Sequence, residues 1–347
     1  MTELLADCTT LRLGGPIGQL LIHTEPGAWP CVARAARSLP LPPLILGGGS
    51  NVIAPDDGYP GTVIRIATRG ITTRPTCDHV DVTVQAGEPL DDLVEFAAIH
   101  NLTGIEYLAG IPGTTGAAPM QNTGAYGQQI SDTLFAVTAY DWQTSTTVEL
   151  PASACHLTHR SSVFKVSNRW TVLTVTIRLH HSTQAAPVTY QPLADALGVP
   201  LGARPSLTDA VAGVRADRAD RGLSLPSNGP DARQVGSAFI NPVVTKRQAA
   251  LISAGEGPIH ADQHGRLRAS AGWLLQSAGY GPSRRITDGV YRSERRTLTV
   301  VARGSASSNA YTRALDHLSA DVHRKTGIRL TAEPRILPGT TPRSHHP

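Results

Sequence analysis

No stretch of this sequence strings together the roughly 18 apolar residues that a bilayer-spanning helix requires. The opening MTELLADCTTLRLGG carries Glu3 and Asp7 and no basic segment ahead of an apolar core, so a secretory leader is not expected. Cysteine is sparse. Cys8, Cys31, Cys77 and Cys155 form no Cys-x-x-Cys pair, and their spacing fits neither a zinc site nor a disulfide framework. Reduced thiols, a cytoplasmic location and no metal are therefore the expectation. Aromatic residues make up 5 % of the chain and charged residues 17 %. A net charge of +4 is too small for this length to argue for a nucleic-acid partner. An arginine-biased solvated surface or an anionic ligand accounts for it. Two standard phosphate-binding signatures are also missing: there is no Gly-Lys-Ser/Thr loop, and no Gly-x-Gly-x-x-Gly turn opens a helix.

What the chain has instead is glycine, 33 residues, and proline, 26. Its 347 residues point to two or three domains. Apolar runs predict strands over GQLLIHT, PLILGGGSN and GTVIRIA, and a helix over AWPCVARAARSL. HVDVTVQAG alternates as a half-buried strand does. PLDDLVEFAAIHNL sets Leu90, Leu93, Val94 and Ala97 on one helical face, with acids in the first turn. Strands follow near LFAVTAYDW and RWTVLTVTIRLH. From about Pro187 helical patterns dominate: SLTDAVAGVRADRADRG, TKRQAALISAG, ASAGWLLQSAG and NAYTRALDHLSADVHRKTG, with one strand, RTLTVVARG, before the last. This change of texture sets a domain boundary near 185–205. The polar GTTPRSHHP reads as a disordered tail.

Two glycine-rich blocks stand out. In LGGGSNV, Gly47, Gly48, Gly49, Ser50 and Asn51 follow a buried strand, and Pro55, Gly58 and Pro60 forbid a helix behind them. Consecutive N–H groups in such a loop can converge on one anion, although a plain turn after a strand would look the same. The second block, GIPGTTGAAPMQNTGAYG, runs uncharged from Gly110 to Gly127 with five glycines. Backbone without side chains can lie flat against a large polar ligand. Two such blocks, about 60 residues apart, suggest one extended ligand such as a dinucleotide.

These segments, with several others in the same order, closely resemble the UDP-N-acetylenolpyruvoylglucosamine reductases of bacterial cell-wall synthesis. TTLRLGG (Thr9–Gly15) is similar to the family's N-terminal motif, LGGGSNV to its pyrophosphate loop, and the long block to its main signature. HRSSVFK (His159–Lys165) resembles its Tyr-Arg-x-Ser motif. GSAFINPVV (Gly236–Val244) and SAGWLL (Ser270–Leu275) resemble its substrate domain, and AEP (Ala332–Pro334) loosely resembles its C-terminal segment. The resemblance implies an α+β chain: a two-subdomain FAD-binding fold of the vanillyl-alcohol-oxidase type, over 1–70 and 71–195, and an α+β substrate domain over 196–338, with 339–347 as tail. It also implies noncovalent FAD, NADPH as electron donor, a UDP-sugar substrate, and reduction of an enolpyruvyl ether to a lactyl ether. A monomer without membrane or nucleic-acid partners is expected.

The same resemblance carries residues over. Arg160, Ser237 and Glu333 match the catalytic positions: a planar fork for a carboxylate, a short hydroxyl as proton donor, and an acid that can polarise the carboxylate as the neutral form or through a bridging donor. Gly47, Gly48, Gly49, Ser50, Asn51, Gly110, Pro112, Gly113, Gly116, Ala117, Gln121, Asn122, Gly124, Ala125, Tyr126 and Gly127 match the flavin loops. Tyr190, Asn241, Arg221 and Arg268 match substrate contacts. Read without the resemblance, each has a plainer role: Arg160 a solvated loop charge, Ser237 a cap or small packing residue, Glu333 a surface acid, Asn241 a cap before Pro242, Tyr190 a strand-end aromatic. Trp273 reads as core. Some positions depart from the family. His159 stands where Tyr is usual, Arg221 and Arg268 where Lys is frequent, and the Arg296 region where His or Gln is common, with Asn near Ala302. Two other readings stay open: an FAD-dependent oxidase of the same fold, and a non-catalytic paralogue that retains FAD or UDP-sugar binding.

Overall fold

The computed structural model describes residues 2–339, apart from 227 and 263. The expected tail from 340 onward lies outside the described residues. The chain packs as two compact units, each discontinuous in sequence. The larger takes Gly18–Gly48 and Gly61–Ser224; the smaller takes the stretch ending at Ile17, Gly49–Pro60 and the chain from Leu225 on. Among the described residues no helix is long and apolar enough to cross a membrane. Cys8, Cys31, Cys77 and Cys155 form no disulfide, and Cys8 and Cys155 are buried.

Two sheets organise the larger unit, beside a short hairpin that pairs Gly124–Ala125 with Gln128–Gln129. In the first, Tyr59–Ile66 lies between Ile17–His23 and Leu44–Leu46, and runs parallel to the latter. The second has the strand order Thr146–Pro151, Leu134–Asp141, Trp170–His181, Val80–Gln85, Ile71–Pro75, paired antiparallel throughout. Its long central strand Trp170–His181 shows why: Val175, Ile177 and Leu179 alternate inward as β-branched and apolar residues on one pleat face, while Thr174, Thr176 and Arg178 face the other way. The helix Leu90–Ile99 buries the four residues that its sequence spacing predicts, Leu90, Leu93, Val94 and Ala97.

Residues 196–224 do not join the C-terminal unit, where the change of composition would put them. The helix Leu207–Asp220 buries Leu207, Ala210, Val211 and Val214 in the larger unit's core. Arg215 on it pairs with Asp91 at 3.1 Å and Glu95 at 2.5 Å on the helix Leu90–Ile99. Upstream, the buried Glu106 accepts hydrogen bonds from the N–H groups of Gly104 and Ala186, both at 2.6 Å. The carboxylate thus anchors the segment that leads into these helices. Apolar burial and ion pairing, not composition, decide where this stretch belongs.

The smaller unit is richer in strand than the sequence pattern suggests. Its sheet runs Gln234–Ser237, Thr299–Ala302, Val290–Arg292, Arg285–Thr287, all antiparallel. The helix Ser308–Thr326 lays Ala310, Tyr311, Ala314, Leu315, Leu318 and Val322 into its core. Strands of three or four residues carry too little periodicity to be seen in sequence. Leu11, Leu13 and Ile53, from the two N-terminal stretches, belong to this core. Thr10 Oγ1 donates to the carbonyl of Gln234 at 2.7 Å, and Arg233 reaches the carbonyls of Leu11 and Arg12.

Across three neighbouring strands of the larger sheet, Asp81 stands in register with Arg178 on one side and Arg74 on the other. Arg178 Nε donates at 2.8 Å and Arg74 Nη2 at 2.9 Å. The Arg178 hydrogen bond, aided by Arg74 and opposed by burial, holds the Asp81 carboxyl down at about 2, below the ordinary 3.8. A depressed carboxyl stabilises the fold above its ordinary range, and that stability is lost as pH falls from about 4 to about 2. Both arginines are partly in solvent, which limits the effect. Asp81→Asn should therefore lower stability at neutral pH by on the order of 1 kcal/mol. The gap between variant and parent, followed by urea unfolding across pH, should close toward pH 2. A constant gap would assign the loss to packing instead.

Candidate active site

The two glycine-rich blocks meet within the larger unit. A Cβ on Gly48 would stand 3.3 Å from the Gly113 Cα, and one on Gly47 would stand 2.4 Å from Thr114 Oγ1. Gly113 has φ +121°, closed to other residues. Among the described residues no protein group accepts a hydrogen bond from the N–H of Gly48, Gly113 or Thr114. Unused N–H donors converging from two segments are the chemistry of an anion cradle. The neighbouring Thr115 hydroxyl is buried and lacks a hydrogen-bond partner.

Several other glycines of the blocks answer to the protein's own packing. A Cβ on Gly116 would stand 2.4 Å from the Cβ of Ala86, whose carbonyl accepts the Gly116 N–H at 2.9 Å. Gly110, at φ +69°, abuts Arg218 and gives its N–H to Asp91 Oδ1 at 2.6 Å. Gly124 sits against the Gln128 carbonyl. In the smaller unit Gly49 has φ +63°, and a Cβ there would stand 2.0 Å from the Cys8 carbonyl oxygen. The Thr10 N–H closes this contact on the Gly49 carbonyl. Pro112 and Gly127 are exposed; Ala117 faces Gly47.

HRSSVFK docks beneath the second block. Arg160, at φ +57°, sends Nη1 to the Asn122 carbonyl at 3.3 Å and Nη2 to the Gly124 carbonyl at 3.1 Å. Ser162 Oγ donates to the Met120 carbonyl at 2.6 Å and also caps the helix Val163–Val166. Arg160 and Ser162 together fix the carbonyl side of the segment that holds Gln121, Asn122, Gly124, Ala125 and Tyr126. Asn122 and Tyr126 adopt the left-handed region, φ +44° and +49°, a strained arrangement that needs such support. Ser162 is the serine of the Tyr-Arg-x-Ser motif, which carried no assigned role from sequence.

Two candidate substrate residues gather at the end of this block. The Tyr126 hydroxyl donates to Asp217 Oδ2 at 2.7 Å, and Arg221 Nη1 donates to the same oxygen at 3.0 Å. The rings of Tyr126 and Tyr190 stand edge to face, 6.2 Å apart. Burial, then the Asp217 hydrogen bond, pushes the Tyr126 phenol well above its ordinary range, so it stays a donor at any working pH. Asp217 is the hub of this group, and nothing in the sequence marked it.

Ser237, Glu333, Asn241 and Arg268 lie in the smaller unit. Ser237 ends a strand, follows Gly236 at φ +73°, and pairs with Thr299. Phe239–Ile240 pairs with Thr331–Ala332, and the Glu333 N–H continues the ladder to the Ala238 carbonyl at 3.0 Å. Glu333 is therefore set beside Ala238, the residue that follows Ser237. Immediately beyond, Arg335–Ile336 pairs in parallel with Val52–Ile53, and the Arg335 N–H bonds the Asn51 carbonyl. One short C-terminal segment thus ties Ser237, Glu333 and the Gly49–Asn51 stretch into a single patch. Asn241 accepts from the Ala271 N–H, which supports its reading as a cap, and its carbonyl accepts from the buried Arg268 at 2.8 Å. Arg268 also pairs with Asp262 at 3.0 Å. Trp273 packs partly buried against the core.

Comparison with known proteins fits this layout. Residues 30–150 match a model described as FAD binding domain, and residues 229–337 one described as UDP-N-acetylenolpyruvoylglucosamine reductase, C-terminal domain. A UDP-N-acetylenolpyruvoylglucosamine reductase of Salinispora arenicola is 39 % identical over 96 % of this chain and 94 % of its own length. That of Cutibacterium acnes is 37 % identical over 96 % of this chain and 89 % of its own length. The reductase of Thermus caldophilus superposes with a TM-score of 0.65 at 23 % identity, covering 97 % of this chain and 98 % of that one, and so shares the fold.

The residues present fit FAD. Its diphosphate needs N–H donors with no side chain in the way, and Gly48, Gly113 and Thr114 supply them. Gly48→Ala should weaken FAD binding, because even one methyl must push at the Gly113 backbone, and Gly48→Val should weaken it much further. Flavin fluorescence titration of the apo-protein measures both. Equal affinity in all three proteins would show that this loop does not touch the cofactor.

Proposed function

The chain belongs to the UDP-N-acetylenolpyruvoylglucosamine reductases, and we propose that it works with NADPH as donor and with Ser237, Glu333 and Arg160 as its catalytic residues. It is an FAD-dependent oxidoreductase that reduces the enolpyruvyl ether of UDP-N-acetylglucosamine to the lactyl ether in peptidoglycan precursor synthesis. Bound there, FAD would supply the redox chemistry: a hydride, taken up from the nicotinamide donor, for the terminal vinyl carbon of the substrate.

What the chain must then manage is charge and a proton. Negative charge develops at the carbon next to the substrate carboxylate and spreads onto that carboxylate. Ser237 gives the carbon its proton from Oγ. Glu333 holds the carboxylate in the form that accepts the charge, and Arg160 offers the planar fork that matches it. The observation that carries this reading is the Glu333 N–H bond to the carbonyl of Ala238, the residue that follows Ser237, at the end of the ladder between Phe239–Ile240 and Thr331–Ala332. Arg160 has a second duty, because its Nη groups already hold the Asn122 and Gly124 carbonyls. Tyr190, Arg221, Asn241 and Arg268 are proposed as contacts of the UDP-sugar. The two glycine blocks hold FAD without a covalent bond, through the amides of Gly48, Gly113 and Thr114. A cytoplasmic location suits the nucleotide donor and substrate.

An oxidase of the same flavin fold is disfavoured by the match of residues 229–337 to the reductase's own C-terminal domain. A binding-only paralogue is disfavoured by the retention of Ser237, Glu333 and Arg160 together.

Stopped-flow measurement of the two half-reactions tests the assignments. In Ser237→Ala, NADPH should reduce the flavin at the parent rate, and reoxidation by the enolpyruvyl substrate should slow by about 10² or more. Glu333→Gln, which keeps a hydrogen-bond donor, should retain more reoxidation than Glu333→Ala. Arg160→Lys should slow reoxidation and also weaken flavin binding, since a point charge cannot hold two carbonyls. Equal loss of both half-reactions in Ser237→Ala would withdraw its role. Rapid reoxidation by oxygen, with none by substrate, would favour the oxidase.

A further inference from the structure

The hydroxyl of Ser237 has a charged neighbour. Arg296 Nη2 donates to Ser237 Oγ at 3.1 Å, while its Nη1 lies 3.5 Å from Thr299 Oγ1, the residue paired with Ser237 across the sheet. This contact is built from the turn upward. Ser293, fully buried, donates from Oγ to Asp231 Oδ2 at 2.5 Å and accepts the N–H groups of Arg295 and Arg296 at 3.2 and 3.1 Å. Asp231 also accepts the Glu294 N–H at 3.1 Å and Arg303 Nη2 at 3.3 Å. The Arg296 carbonyl accepts the N–H of Thr299 at 3.2 Å. Asp231 and Ser293 thus hold both sides of the 293–296 turn, and that turn carries the guanidinium that meets Oγ.

We infer that Arg296 is a positioning residue for the proton transfer, orienting the Ser237 hydroxyl and stabilising the oxyanion that it leaves. The inference rests on the reading of Ser237 as proton donor. Serine is a weak acid. When its O–H bond breaks, the carbanion's electron pair forms the new C–H bond next to the carboxylate, and the oxygen keeps the electron pair of the O–H bond as an alkoxide until water reprotonates it. A guanidinium donating to that oxygen does two things. It occupies a lone pair, so the hydroxyl hydrogen points away from Arg296. It also sets a fixed positive charge 3.1 Å from the atom that turns negative. Arginine keeps its proton throughout the working range, where an imidazole at the same place would lose it near neutrality. The donor should therefore work equally well on either side of pH 7.

The test uses holoenzyme and follows reoxidation by substrate in single-turnover experiments. Arg296→Ala should slow that step about tenfold to a hundredfold, the scale for losing one oxyanion donor. Flavin reduction by NADPH, flavin affinity and melting temperature should stay close to the parent's. Added guanidinium, but not urea, should restore much of the lost rate. Arg296→His should give a rate that falls as pH rises through about 6.5, the ordinary range of imidazole, where the parent shows no such step; this readout does not depend on the alanine variant folding well. The double variant Ser237→Ala, Arg296→Ala should be scarcely slower than Ser237→Ala alone. Fully additive losses, no guanidinium rescue, or a parent-like pH profile in Arg296→His would overturn the inference while leaving Ser237 as donor. A Ser237→Ala protein with parent-like reoxidation would overturn the underlying reading instead.

Discussion

Backbone against backbone at Gly48 and Gly113 is the contact on which the proposed cofactor site depends. A methyl group at Gly48 already reaches within 3.3 Å of the facing Cα, so the two loops can converge only where side chains are missing on both. That convergence leaves the N–H groups of Gly48, Gly113 and Thr114 without protein acceptors. Unspent donors are costly in a folded chain unless something takes them up. Further along the second block, Arg160 and Ser162 hold the carbonyls of Gly124 and Met120.

Long apolar periods were plain in the sequence. The helix Leu90–Ile99 and the strand Trp170–His181 fall where alternation and helical spacing predict them, because each buries one face along its whole length. Of the small sheet in the C-terminal unit only Thr299–Ala302 was legible, within RTLTVVARG; strands such as Val290–Arg292 are too short to show a period. The site was legible through its glycines, but glycine is ambiguous. Gly48 and Gly113 line the donors, whereas Gly116 and Gly49 are forced by Ala86 and by the Cys8 carbonyl. Only coordinates separate the two causes. Asp217 escaped because a polar residue acting through other side chains leaves no spacing signal, while Ser162 and Arg296 stood in segments already singled out but without a role of their own.

Arg296 shows how a departure from a family pattern can be absorbed. Read in sequence, it is a mismatch in the segment Tyr291–Gly304. In the fold it is a guanidinium whose turn is fixed by Ser293 and Asp231 and whose Nη2 meets Ser237. The replaced residue type alters the electrostatics of one hydroxyl and leaves the strand pairing of Ser237 with Thr299 in place.

The smaller unit also has a consequence for synthesis on the ribosome. Its core takes Leu11, Leu13 and Ile53 from the start of the chain, but Leu274, Leu315 and Val322 from near the end. The early leucines and isoleucine emerge hundreds of residues before the helix and sheet that cover them. Translation at roughly 5–20 residues per second leaves them waiting for tens of seconds. The larger unit can complete its core once Ser224 is out, while the smaller one must close its longest loops last. During that interval the nascent chain presents an apolar N-terminal stretch with no partner yet made, which is the kind of segment that chaperones bind.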